Sequence, residues 1–266
     1  MNVVWQTFRS HLKSMTIWAV ALAVLMIVSM AKYGTLTENG GAAIQTMLRS
    51  FPQSVQAIYG MTGVDMMSVA GYFSVVFLFA AITAAVHAGL LGAGLIADEE
   101  RDKTTEFLYV KPRSRARIIS AKLIAGLTNL IVVWAAVVTG SIVGIQKFAR
   151  MDGFWHDFWL LMGALALIQL IFFALGALGS SIRRRAAFSG RLIAIVIFVS
   201  YLLYVFSKLS DSLSWLRFGS IFRYLDAADI VTAHTLNLLS VLIGIAIVLA
   251  SLTATIFCYR RRDLSV

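Results

Sequence analysis

Charge, proline and cysteine are scarce in this sequence of 266 residues. Charged residues make up 14% of the chain and hydrophobic residues 59%, whereas a soluble domain has roughly 25% charged and 45–50% apolar residues. The lone cysteine, Cys258, cannot form an internal disulfide. With two prolines, the chain also has no Pro-rich linker. The composition therefore excludes an ordinary soluble domain and predicts an integral membrane protein.

Recognisable catalytic and nucleotide-binding motifs are absent as well. The sequence has no G-x-x-x-x-G-K-[ST] phosphate loop, no H-E-x-x-H, no CxxC and no G-x-S-x-G. The four histidines are scattered over different segments and predict neither a metal site nor a catalytic triad. We therefore expect no catalytic residues, no metal and no cofactor on this chain, which is not predicted to be an enzyme.

Long apolar runs are what the sequence does contain. A membrane-spanning helix needs about 20 mostly apolar residues. Six runs approach or exceed this length, at about 15–31, 69–97, 118–145, 158–182, 192–207 and 236–259. No repeat or low-complexity segment interrupts them. The fold prediction is an all-α polytopic membrane protein with six transmembrane helices, forming a single domain over residues 1–266.

The basic residues favour one side of the membrane. If the spans alternate, 16 of the 23 Lys and Arg residues lie on the side of both termini and 7 on the other, whereas the 13 acids divide almost evenly. Cytoplasmic loops carry the excess of Lys and Arg, so both termini are predicted to be cytoplasmic. The same rule explains the net charge of +10, so we expect no nucleic-acid partner but contact with membrane lipid.

The first 15 residues have a pattern of their own. Val4, Phe8, Leu12 and Met15 recur at helical spacing beside basic residues, which predicts an amphipathic helix on the inner membrane surface before the first span. A cleaved signal peptide is the alternative, but the apolar run is longer than the usual 7–15 residues.

Small residues recur along two spans. In the second span they stand at every fourth position, and the third span contains a GxxxG pair. Small residues at this spacing allow close helix contacts in lipid, although an Ala- and Gly-rich membrane composition is the alternative. The predicted packing residues are Ala81, Ala85, Gly89 and Ala93, with Ala97 continuing the row, and Gly140 and Gly144.

His87 is an ionisable residue well inside the second apolar run. It is either part of a transport pathway or a neutral histidine hydrogen-bonded to a neighbouring helix. Asn129 and Gln169 are expected to be interhelical hydrogen-bonding residues.

A dense charge cluster follows the second span. Residues 97–123 contain five acidic and seven basic residues. Glu99 and Lys103 are four residues apart, which favours continuation of the helix, and Pro112 then ends it. Ser114 can cap the helix that leads into the third span. The pattern predicts a short cytoplasmic elbow at about 98–117, hereafter the elbow; a solvated hairpin is the alternative.

The elbow resembles the signature of ABC transporter type 2 permeases. The residues that carry the resemblance are Glu99, Glu100, Thr104, Glu106, Phe107, Leu108, Pro112, Ser114, Arg115, Lys122 and Leu123. The sequence departs from the family at Lys103, where the family usually has glycine, and at Phe107, where it usually has leucine. Segments 50–63 and 180–190 extend the resemblance, which covers the six-span plan of nearly the whole chain.

The resemblance implies a transport subunit driven by another protein. It implies a separate ABC ATPase subunit that carries ATP and Mg, with the elbow as the coupling helix formed by the residues from Glu99 to Arg115 named above. It also implies a second permease chain, the same or similar, and export across a cell membrane, bacterial or archaeal. The segment 208–235 interleaves aromatic and charged residues and predicts short half-inserted helices over the pathway.

Two other classes of function remain open at this stage. An ATP-independent secondary transporter or channel needs coupling charges within the spans. His87 and Lys122 come nearest to this, and Lys122 is expected to extend its amine to the inner surface. A membrane-embedded enzyme needs paired acidic or nucleophilic residues at membrane depth, and the spans contain no such pair.

Overall fold

The computed structural model describes residues 3–38, 46–47, 50–101, 115–149, 153–182 and 186–261. Within these ranges the regular elements are helical, and six of the helices are long and apolar enough to cross a membrane. This confirms the prediction of an all-α protein with six transmembrane helices. The elements are α1 (Val3–Glu38), α2 (Gln53–Tyr59), α3 (Val69–Arg101), α4 (Arg115–Phe148), α5 (Trp155–Ile182), α6 (Ala186–Leu209), a 3₁₀ segment (Asp211–Gly219), α7 (Ile221–Tyr224), α8 (Ala227–Ala233) and α9 (Leu238–Arg261).

Helix α1 differs from the prediction at the N-terminus. It is one uninterrupted helix of 36 residues, about 54 Å long at a rise of 1.5 Å per residue. The prediction of a separate surface helix before the first span was therefore wrong. The physical reason is that residues 3–33 contain neither proline nor glycine, so nothing in the chain favours a break between the charged and the apolar part.

The bundle is built around α5, which packs against α3, α9 and α6, while α1 packs along α4. Helix α5 has the apolar residues Phe158, Leu161, Leu165 and Phe172 fully buried. In contrast, α1 exposes Ile17, Val20, Val24 and Val28 at three- and four-residue spacing. The apolar surface of the outer helices therefore faces away from the bundle.

Glycines bring two helix pairs into backbone contact. A Cβ built on Gly140 would lie 2.7 Å from the carbonyl O of Ala23, and one on Gly144 would lie 3.0 Å from Cβ of Met30. These contacts join α4 to α1. Between α3 and α5, a Cβ on Gly176 would overlap the carbonyl O of Gly89. Side chains at these positions would force the helices apart.

The chain between α6 and α9 folds back into the bundle. We call residues 211–234 the cap. Since the six long helices alternate in direction, the cap lies at the end opposite to both termini. The Ser220 hydroxyl donates to the carbonyl O of Ser200 (2.7 Å), and the Ile221 N–H donates to the Ser200 hydroxyl (2.9 Å). Ser200 lies nine residues before the end of α6, or about 13 Å inside it, so the cap is half-inserted.

Candidate functional site

The elbow lies mostly outside the described residues. Glu99 and Glu100 belong to the last turn of α3, which continues to Arg101, and Arg115 is the first residue of α4. The other predicted coupling residues, Thr104, Glu106, Phe107, Leu108, Pro112 and Ser114, fall in the segment 102–114, which the structure does not describe. What the described helices establish is that α3 continues as a helix beyond its apolar run and that a further helix starts at Arg115.

The predicted packing residues lie where helices meet. Ala81, Ala85 and Ala93 are 3% exposed or less, and Gly89 packs against α5 and, through Ile193, against α6. The side chain of Ala97 is not among those that the structure describes. Three of the six long helices therefore meet along this row of small residues on α3.

His87 lies in a buried polar group that involves three helices. It is 3% exposed, its ring centroid is 5.6 Å from that of Trp18 on α1, and its side chain hydrogen-bonds to Asn129 on α4. Neither Nδ1 of His87 nor Oδ1 of Asn129 has a hydrogen-bond partner among the described residues. Buried polar atoms are usually paired, so this group has hydrogen-bonding capacity left over at membrane depth.

Two further polar residues in the spans are also buried. Gln169 on α5 is 1% exposed, and its Nε2 lacks a hydrogen-bond partner within the described part of the chain. Lys122 on α4 is likewise 1% exposed. The prediction that Lys122 extends to the surface was therefore wrong, because neighbouring residues enclose its long side chain.

Four charged residues form a network where the cap meets α6. Nζ of Lys208 lies 2.5 Å from Oδ2 of Asp226, which is also 3.0 Å from the Arg223 guanidinium. Arg223 and Lys208 also pair with Asp229. Burial alone would lower the pKa of Arg223, but its bond to Asp229 and the charge of Asp226 raise that pKa above its ordinary value. Two cations and two anions thus balance one another where the cap meets α6.

Local capping explains why the cap adopts short helices. Ser220 accepts a hydrogen bond from the Arg223 N–H at the start of α7, and Asp226 accepts one from the Ala228 N–H at the start of α8. Ser and Asp are preferred residues at this position of a helix. Ser220 and Asp226 are therefore sequence signals for the positions at which α7 and α8 begin. Neither residue indicates the ion-pair partners of Asp226 or the contact with Ser200.

The end of the cap is attached to the beginning of α5. His234 adopts a left-handed conformation (φ 53°), and its Nδ1 lies 2.8 Å from Oδ1 of Asp157. Deeper in the bundle, the ring centroids of Phe222 in α7 and Phe172 in α5 are 5.4 Å apart. Helix α5 therefore contacts the cap at two levels.

A cleft of about 440 Å³ separates the cap from the first turns of α9. One wall is polar and includes Arg217, Arg223 and Asp229, whereas Leu239 and Ile243 of α9 supply apolar surface. The interleaved aromatic and charged residues of segment 208–235 predicted short half-inserted helices, but the cleft depends on where α9 begins relative to the cap.

Comparison with known proteins agrees with this architecture. The family described as ABC-2 family transporter protein matches residues 1–264. None of the curated proteins compared with the sequence matches it. The membrane chains of this family are transport subunits that are generally not catalytic themselves. With six apolar helices of spanning length and a family match over almost its entire length, this chain belongs to the ABC-2 transporter family and is a multi-pass membrane transport subunit.

Proposed function

We propose that this chain is the membrane-spanning subunit of an ATP-driven exporter in the cell membrane, and that a separate ABC ATPase docks on the elbow. The observation that carries the proposal is the family match over residues 1–264 in a chain without a phosphate-binding loop. ATP and Mg would be bound by the partner. A second permease chain, the same or similar, and a second ATPase would complete the transporter, with both termini of this chain in the cytoplasm.

The described helices offer a route from the elbow to the cap. Helix α3 is continuous over Val69–Arg101, so a displacement at Glu99 and Glu100 would move its whole length. Close contacts along Gly89 and Gly176 couple α3 to α5, and α5 contacts the cap through Phe172 and Phe222. Closure of the ATPase would thus reach the opposite end of the bundle through two packed helices.

The distribution of acids argues against a secondary transporter that is coupled through a carboxylate, whereas Lys122, which is buried in α4, is an ionisable residue within a span. Within the six described spans, Asp157 is the one acidic residue. It stands in the first turn of α5 and is engaged by His234. A carboxylate that carries protons or cations across the membrane is expected near the middle of a span. His87 keeps both of its interpretations, in a pathway or in helix packing.

Charge-neutralising variants of the elbow test the coupling. Glu99→Gln, Glu100→Gln and Glu106→Gln, combined in one chain, remove three charges and keep side-chain size. Truncating one partner of an interface charge pair costs about 2–5 kcal/mol, so we expect ATPase affinity to fall roughly 30-fold to several thousand-fold. Thermal unfolding of the isolated chain should hardly change, since the elbow is predicted to be solvated in the absence of a partner and substitutions of solvated side chains cost about 0.5 kcal/mol or less each. ATPase co-purification and substrate-stimulated hydrolysis measure the effect.

Asp65→Asn is the matched control. Asp65 is an exposed acid at the cap end of the bundle, where its Oδ1 accepts a hydrogen bond from the Met67 N–H; the amide oxygen of Asn can keep that bond. This variant should retain the ATPase fully. Pro112→Ala adds a second readout because it allows the helix to continue past its predicted end. If the triple variant and Pro112→Ala both retain the ATPase as well as the control does, the elbow is a solvated hairpin and the proposal is wrong.

A further inference from the structure

We infer that the cleft between the cap and α9 is a binding site for a phospholipid with a net negative headgroup. In this arrangement the phosphate lies against Arg217, and an acyl chain follows Leu239 and Ile243. The site is distinct from the elbow and lies at the other end of the bundle. It requires neither the ATPase nor the coupling mechanism proposed above.

The size and position of the cleft suit a lipid. Its volume of about 440 Å³ lies within the roughly 300–1,000 Å³ of small-molecule sites. It crosses the boundary of a membrane span, because Leu239 and Ile243 belong to the span Leu238–Tyr259 whereas Arg217 belongs to the cap. A ligand that fills it therefore needs a polar part and an apolar part that meet at this boundary.

The charges of the cleft favour an anion. The carboxylates of Asp226 and Asp229 pair with Lys208 and Arg223, so these four charges offset one another. Arg217 is exposed and makes no ion pair with any residue in the described ranges; its guanidinium lies 4.9 Å from the centroid of the Phe218 ring. A guanidinium in this situation can donate two parallel hydrogen bonds to a phosphate.

The apolar side of the cleft continues along the membrane. Leu239 is 65% exposed, and Leu242 on the next turn is 54% exposed. An acyl chain that arrives from the bilayer is already out of water, but it can cover Leu239 and Leu242 by packing against them, a contact that a free phosphate cannot make. The cleft therefore matches a lipid better than a soluble anion, although the phosphate chemistry at Arg217 is common to both.

Photo-cross-linking in vesicles tests this site with the purified chain. A photoreactive amino acid replaces Leu239, and the chain is reconstituted in phosphatidylcholine with and without phosphatidylglycerol. We expect capture of phosphatidylglycerol in excess of its share of the membrane. The same amino acid at Leu249, exposed on the same helix about 15 Å further along, should capture both lipids according to their abundance.

Charge and shape variants assign the capture to the cleft. Arg217→Gln should lower the excess of phosphatidylglycerol about tenfold, as expected for the loss of a charge-assisted hydrogen bond. Lys32→Gln removes an exposed cation at the same end of the bundle but outside the cleft and should leave capture unchanged. Ser240→Trp should fill the cleft and lower capture of both lipids. Arg217→Lys keeps the charge but loses the paired donors of the guanidinium, so it should give an intermediate excess of phosphatidylglycerol. This variant takes the place of Arg217→Gln if Arg217→Gln does not fold.

Three results would overturn the inference. Equal capture of the two lipids at Leu239 would mean ordinary membrane contact. Loss of the phosphatidylglycerol excess on adding inorganic phosphate would mean a soluble-anion site, and cross-linking to a second copy of the chain would mean an interface. Thermal unfolding of every variant shows whether it is folded. Because no ATPase is present, the outcome is independent of whether the elbow binds one.

Discussion

The two ends of the helix bundle differ in whether their charged residues are paired within the chain. At the cap end, Lys208, Arg223, Asp226 and Asp229 pair with one another within the chain, and Asp226 is 4% exposed. At the other end the sequence concentrates 16 of its 23 basic residues together with the acids of the elbow. These four charges of the cap end balance one another, whereas the elbow end has a basic excess available to lipid and, in our proposal, a partner.

This difference indicates which measurement should respond to a substitution. Changes in the cap remove contacts that the chain makes with itself, so they should lower its own stability. Changes in the elbow should weaken binding of the ATPase and leave folding intact. Helices α3 and α5 run between the two ends and both contact the cap, and α3 leads into the elbow. A change in their packing should affect both measurements.

The largest loss of stability is expected at the contact of α3 with α5. Gly176→Leu would place a side chain where even a Cβ overlaps the carbonyl O of Gly89. The backbone cannot move aside as a flexible side chain can, so we expect the free energy of unfolding to fall by at least about 3 kcal/mol. ATPase co-purification should fall as well, because α3 would no longer be held against α5. Thermal unfolding in detergent measures the first effect.

Gly163→Leu is the matched control on the same helix. A Cβ at Gly163 would meet no atom within 4 Å beyond its chain neighbours and the backbone of its own helix, and leucine favours helix more than glycine by roughly 0.5–1 kcal/mol. This variant should be as stable as the parent or slightly more so. Equal losses for Gly176→Leu and Gly163→Leu would show that the close approach of α3 and α5 does not determine stability.

A smaller loss is expected where the cap is anchored to α6. Ser200→Ala leaves the Ile221 N–H without its acceptor, and Ser220→Ala removes the hydrogen bonds to the Ser200 carbonyl and from the Arg223 N–H. An unsatisfied buried group costs about 1–3 kcal/mol. Both variants should unfold at lower temperature yet keep the ATPase, the opposite of the elbow variants.

Ser212→Ala is the control for the cap. Its hydroxyl is exposed and hydrogen-bonds to Ser210, so its loss should change stability by no more than about 0.5 kcal/mol. If Ser200→Ala and Ser220→Ala released the ATPase without lowering stability, the distinction between the two ends would be wrong.

The sequence predicted the six spans well because long apolar helices depend on local composition. The packing of Gly140 against Ala23 joins residues far apart in the chain, and the spacing of the glycines indicated a close contact without naming its partner. The bond between Asp157 and His234 spans 77 positions, and no local pattern relates them. Helix α1 extends beyond the predicted span because residues 3–33 contain no proline or glycine that would end the helix, and hydropathy alone does not register this.

The elbow and the cap also differ in how far sequence reasoning applies. The family resemblance predicted the elbow residues, whereas the cleft beside α9 arises from the position of one helix start relative to the cap. The shape of a cleft between elements that are distant in the sequence can be seen only in the three-dimensional structure. Charge counts need only the sequence, and the predicted orientation of the bundle depends on those counts alone.

Cysteine labelling tests which end of the bundle faces the cytoplasm, and the substitutions it needs should change neither stability nor binding. Single cysteines in a Cys258→Ser background replace exposed residues at each end: Thr37 and Ser212 at the cap end, Ser10 and Arg117 at the end of the termini. Because Lys and Arg are enriched in cytoplasmic segments, an impermeant thiol reagent should label intact cells at Thr37 and Ser212 and should label Ser10 and Arg117 only after lysis. Labelling of Ser10 and Arg117 in intact cells would place the elbow outside, where no ATP-driven partner could reach it, and would reject the coupling proposal while leaving the structural contrast between the two ends intact.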